Sequence, residues 1–100
     1  TVEMITETIV KVSVTANDIK QSNRESNPVS MAVARIFGLN EYFVQAQINS
    51  IIIFNDYDSI ESVWSVNDNS KLSGFMDSWD LYQLGHKVEL DEFTFTINKK

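Results

Sequence analysis

The apolar pattern of this chain changes period four times, and each change falls at a punctuated position. Val10, Val12 and Val14 alternate with Lys11, Ser13 and Thr15. A period of two in β-branched residues is that of a half-buried strand, here over residues 7–15. Val29, Ala32, Val33, Ile36 and Phe37 then recur at the spacing of one helical face. Asn27-Pro28 opens that helix, Asn27 as its cap and Pro28 at the first position, where a missing N–H costs nothing. Gly38 supplies a left-handed stop. From Tyr42 the period returns to two, with Val44, Ala46 and Ile48 facing one way and Gln45, Gln47 and Asn49 the other. A chain that switches in this manner packs helices on a sheet.

The remaining elements follow from local chemistry. Thr15-Ala16-Asn17-Asp18 is a capping box, so a short helical turn starts near Ala16; it ends by Ser26, because the residue before Pro28 is held out of helical geometry. Asn49-Ser50 either turns the chain before Ile51–Phe54 or lies inside one bent strand. Residues 55–59 are a loop by composition, and Ile60–Val66 is a further strand. Asn67 or Asp68 caps a second long helix over about 69–84, with Leu72, Phe75, Met76, Trp79 and Tyr82 or Gln83 at helical spacing. Gly74 inside it costs about 1 kcal/mol relative to alanine, so a close approach to its backbone is expected. Gly85 ends the helix, and Phe93, Phe95 and Ile97 alternate through a last strand.

The expected fold is α+β. It has a small antiparallel sheet of three to five strands, with two main helices and a short helical turn packed on one face. The expected core is Val12, Val14, Val33, Ile36, Phe37, Val44, Ile48, Phe75, Trp79, Phe93 and Phe95.

One hundred residues suit a single domain spanning 1–100. There is no cysteine, which excludes disulfides, thiolate metal sites and thiol catalysis. The longest apolar run, Ile51–Phe54, has four residues, far short of a membrane span, and no basic-then-apolar leader pattern opens the sequence. A cytoplasmic location is therefore expected.

Charge is unevenly placed within a net of −6. Asp56, Asp58, Glu61, Asp68, Asp77, Asp80, Glu89, Asp91 and Glu92 stand in the second half of the chain, with Lys71 and Lys87 as the bases among them. Such a field repels a phosphate backbone and attracts basic surfaces, so direct nucleic-acid binding is not expected and a basic protein partner is.

Four segments together resemble a family of small uncharacterised proteins of tailed-phage genomes and prophages. They are Val12-Ser13-Val14-Thr15-Ala16-Asn17-Asp18-Ile19, Pro28-Val29-Ser30-Met31-Ala32, Gly74-Phe75-Met76-Asp77-Ser78-Trp79-Asp80 and Val88-Glu89-Leu90-Asp91-Glu92-Phe93-Thr94-Phe95, and the similarity spans about residues 9–97. Members carry Cys-Pro where this chain has Asn27-Pro28, so any role of that cysteine has no counterpart here. The resemblance implies a phage-encoded protein acting in the host cytoplasm, and brings no assigned activity.

Chemical motifs are few. His86, the single histidine, sits beside Gly85 at a helix end, where a cation suits the helix dipole; with no cysteine it cannot build an ordinary structural zinc site. No serine stands in Gly-x-Ser-x-Gly, and Gly38, Gly74 and Gly85 form no phosphate loop. Asp56-Tyr57-Asp58-Ser59-Ile60-Glu61 lacks the central glycine of a calcium loop and puts Ile60 at a ligand position. Asp77 and Asp80, at i and i+3, fit a solvated face better than a catalytic pair. Trp64, Trp79, Phe75, Phe93 and Phe95 fit a core better than a pocket. No catalytic residue, metal or cofactor is expected.

The expected function is that of a small acidic accessory protein that binds a protein partner. Asp56, Asp58, Glu61, Asp77 and Asp80 are the expected contact residues, and self-association through an exposed sheet edge is a further expectation. Two other readings stand beside it, a small-ligand-binding domain or enzyme without a familiar motif, and a nucleic-acid mimic that inhibits a DNA- or RNA-binding enzyme.

Overall fold

The computed structural model describes residues 8–23, 26–55 and 59–100. Strand β1 (Ile9–Val14) leads into helix α1 (Ala16–Gln21) and helix α2 (Pro28–Phe37). A short 3-10 turn over Glu41–Phe43 precedes β2 (Val44–Ala46), β3 (Ser50–Phe54) and β4 (Ile60–Asn67). Helix α3 (Ser70–Gln83) and strand β5 (Phe93–Lys99) complete the order. The five strands make one antiparallel sheet in the order β1-β5-β4-β3-β2. The architecture is α+β, as the alternating periods require.

Register sorts the side chains between the two faces of the sheet. Val12 stands opposite Phe95, Val10 opposite Ile97, Ile97 opposite Val66, Ile51 opposite Trp64 and Val44 opposite Ile53. This face is buried against Val29, Ala32 and Val33 of α2 and Leu72, Phe75 and Trp79 of α3. The other face presents Ser13, Thr94, Thr96, Asn67 and Asn98, whose side chains bond across the strands at 2.8–3.3 Å.

Helix α2 packs against both β1 and β2, which are the two outermost strands. In a flat sheet of five strands those edges would lie about 19 Å apart, roughly twice the width of a helix, so contact with both requires the sheet to curl round it. A register shift between Ile53 and Phe54, where β3 meets β4, supplies a local bend. Phe37 reaches the middle of the sheet and meets Trp64 edge-on, with ring centroids 5.3 Å apart.

A polar clamp fixes α2 to the chain that precedes it. The Thr15 N–H and hydroxyl both donate to the Asp18 carboxylate at 2.9 Å, and the Asp18 N–H donates back to the Thr15 hydroxyl, the expected capping box. Arg35 of α2 adds two donors to the same carboxylate, at 3.0 and 3.3 Å, and a third to the outward carbonyl of Ser13 in β1. Asp18 is only 4% exposed. Burial pushes its pKa up, but the Arg35 and Thr15 hydrogen bonds and the Arg35 charge outweigh that and hold the carboxyl below its ordinary value.

Helix ends follow their punctuation. The Asn27 side chain accepts from the Ser30 N–H at 2.9 Å. Gly38 is left-handed at φ 69, and its neighbour Leu39 donates to the Ala34 carbonyl at 2.9 Å.

Elsewhere the chain departs from expectation. Tyr42 belongs to the 3-10 turn, and the strand begins at Val44. Gln47 and Ser50 close a tight turn by backbone and side-chain hydrogen bonds, so Ile48 lies in the turn, 41% exposed, outside the core. Asn67 continues β4, because its amide is used across the sheet by Thr96 and Asn98. Asp68 takes a positive φ of 42 and accepts from the Ser70 N–H and hydroxyl, and Asn69 occupies the cap position without a side-chain bond to the helix, its amide donating instead to Asn49. Ile36, Phe37 and Phe93 flank the core half-buried, and Ile51, Trp64, Leu72 and Ile97 are its most buried large members in addition to those expected.

Two outcomes test this packing. Phe95→Ala removes a buried ring that stacks on Phe93 and should cost about 3–5 kcal/mol in chemical denaturation; a loss under about 1 kcal/mol would mean that the ring is not in the core. Asp18→Asn should cost about 2 kcal/mol at neutral pH. Because folding lowers the pKa of Asp18, its contribution is complete above the unfolded value of 3.8 and fades as pH falls through the folded one. The gap between wild type and variant should therefore close below about pH 4 in denaturation curves recorded across pH.

Candidate interaction groove

The chain reverses sharply after α3. Gly85, at φ 90, donates its N–H to the Tyr82 carbonyl at 3.0 Å, and His86 donates to Leu81 at 3.1 Å. This pair of bonds ends a helix and sends the chain back along it. Residues 87–92 return beside α3 to the start of β5, without helix or strand of their own. Two anchors hold this return segment. Leu90 packs against the core, and the Glu92 carboxylate accepts the Ala16 N–H at the start of α1 at 2.7 Å. With Val88 and Leu90 half-buried, the intervening Glu89 and Asp91 point to solvent.

A groove of about 260 Å³ runs between α3 and the return segment. Ser70, Lys71, Gly74, Phe75 and Ser78 form one wall, a single helical stripe. Glu89, Asp91 and Glu92 form the other, and Phe93 lies at the base against Phe75, ring centroids 4.7 Å apart. Among the described residues the one ion pair is Arg35–Asp18, so Glu89 and Asp91 are in no ion pair, and Lys71 is the one base among the groove's lining residues.

Gly74 has a different meaning here from the one its sequence context gave it. Apart from its own chain neighbours and the nearby backbone of its helix, no atom of the described residues lies within 4 Å of a Cβ built on it, so no other element packs closely there. The missing side chain leaves helical backbone bare at the groove wall.

The described residues expected to meet a partner stand on two elements. Asp56 and Asp58 lie outside the described residues. Glu61 is exposed at the start of β4, and Asp77 and Asp80 are exposed on α3, with no bond linking the helix pair to Glu61. Asp77 stands three residues from Gly74, near the groove. Asp68 has its carboxyl held below the ordinary range by the Ser70 hydroxyl and N–H, with Lys71 adding to the effect. The His86 side chain is exposed and lines a shallow hollow with Tyr82, Lys87, Val88 and Glu89. Trp64, Trp79, Phe75 and Phe95 are buried in the core. Residues 87–92 escaped the sequence reading, although the alternation of Val88 and Leu90 with Glu89 and Asp91 was a usable signal for a segment with one wet and one dry side.

Gly74→Ala should raise stability by about 0.5–1 kcal/mol in chemical denaturation, since the methyl group meets only open space and helix propensity improves. Destabilisation would show that the wall is tighter than described. In comparison with known proteins, the chain matches no family model, no curated protein and no solved structure, so a functional reading has to stand on this groove.

Proposed function

We propose that this protein is a small acidic accessory module that acts by interaction, and that it receives a basic segment of a partner protein along α3. The observation that carries the reading is the pairing of Glu89 and Asp91, neither in an ion pair, with the bare backbone of Gly74 across one groove. A groove with three carboxylates against the single base Lys71 attracts cationic side chains, and a wall without a Cβ lets a long methylene stem lie against the helix. Exposed pairs of this kind add little affinity one by one and act mainly on encounter rate. Asp77 and Asp80 extend the same field along the helix. No helix among the described residues is long and apolar enough to cross a membrane.

The test is kinetic. A lysine-rich peptide flowed over immobilised protein should associate faster at low salt, with a loss on the order of tenfold between about 20 and 200 mM. Glu89→Lys with Asp91→Lys should remove most of that salt dependence. An association rate untouched by the double reversal would show that these acids serve solubility alone.

A further inference from the structure

The groove does not end at Glu89. That residue also lines the hollow formed by Tyr82, His86, Lys87 and Val88, about 430 Å³ in volume, so the two depressions are neighbours that share Glu89 as a wall. Their chemistry differs. The Gly74 end is rimmed by Glu89, Asp91 and Glu92 against Lys71. The Tyr82 end sets an aromatic ring and Val88 beside Lys87 and His86, so its acidic character is much weaker. Large apolar side chains are uncovered at this end, with Tyr82 51% and Leu84 76% exposed. Tyr82 stacks on the buried Trp79 with ring centroids 5.6 Å apart, which leaves its other side to solvent.

We infer that the occupant is a short two-part segment of a protein partner, in which a lysine or arginine is followed or preceded by a large apolar residue at a fixed spacing. The spacing follows from the helix. Gly74 and Tyr82 are eight positions apart, about 12 Å along α3, and an extended peptide covers that distance in about three to four residues. The basic side chain then lies over Gly74 between the helix and Asp91, and the apolar one covers Tyr82 and Val88. Charge complementarity selects the first part and apolar burial the second, so the surface discriminates against wholly basic chains. This inference rests on the reading of the groove as a receiver of basic segments and adds to it a second contact and a distance.

Three acetylated, amidated nonapeptides titrated into the full chain, followed by amide chemical shifts, decide it. One carries Lys-Arg and Leu-Phe separated by two small residues, a second replaces Leu-Phe by Ser-Ser, and a third replaces Lys-Arg by Ser-Ser. The composite peptide should bind at least about tenfold tighter than either half. It should shift amides around Gly74 and around Tyr82 together. Tyr82→Ser should lower its affinity to that of the basic half while leaving the basic half unchanged. If the composite binds no tighter than the basic half, the two-part inference fails and the acidic groove stands; if none of the three binds, both fail. Should Tyr82→Ser disturb the fold by circular dichroism, the wild-type shift pattern decides alone, because perturbation confined to the Gly74 end overturns the inference.

Discussion

The contact of α2 with both edges of the sheet is the constraint on which the rest of the structure depends. A five-stranded sheet left flat would hold β1 and β2 too far apart for one helix to touch. Curling brings them to either side of α2, and Val29, Ala32 and Val33 become the axis round which the sheet is wrapped. The small side chain on this face matters, since Ala32, fully buried beside Val29 and Val33, leaves room for the strands to come near the helix backbone. Phe37, at the last turn of the same helix, reaches across to Trp64 in the central strand β4.

The Arg35–Asp18 clamp has to be understood in that setting. A half-exposed ion pair contributes little by itself. Here one guanidinium joins three elements, because it bonds the α1 cap and the outward carbonyl of Ser13 while standing on α2. It thus sets the angle at which the wrapped helix meets β1. It also occupies an edge carbonyl that would otherwise invite another strand, while the opposite edge, β2, is only three residues long. Both are ordinary means of blunting a sheet edge.

What could be read from the sequence was what nearest neighbours decide. Thr15 with Asp18, Asn27 with Pro28, and the glycines at 38 and 85 act within one turn of helix, and each stands as its local chemistry required. Ile48 shows where such reasoning stops. Its parity with Val44 and Ala46 continues smoothly, but the Gln47–Ser50 hydrogen bonds break the strand before parity can apply. Asn67 has the composition of a cap and serves the sheet, because Thr96 and Asn98 reach it from the other end of the chain. The groove was hidden for the same reason. Its walls are separate in sequence, and only the reversal at Gly85 brings Glu89 and Asp91 beside Gly74.

Strand β5 lies between β1 and β4, so Ile9 is paired with Asn98 and Trp64 with Lys99. On a ribosome, β1 emerges before the other four strands, and until β5 is made it lacks the neighbour it pairs with. The hairpins of β2, β3 and β4 can form early, and α2 can nucleate from its own caps, but the two parts of the sheet stay unjoined until the residues of β5 are made. Long-range pairing of this sort is slow, and the exposed valines of β1 are a hazard in the interval.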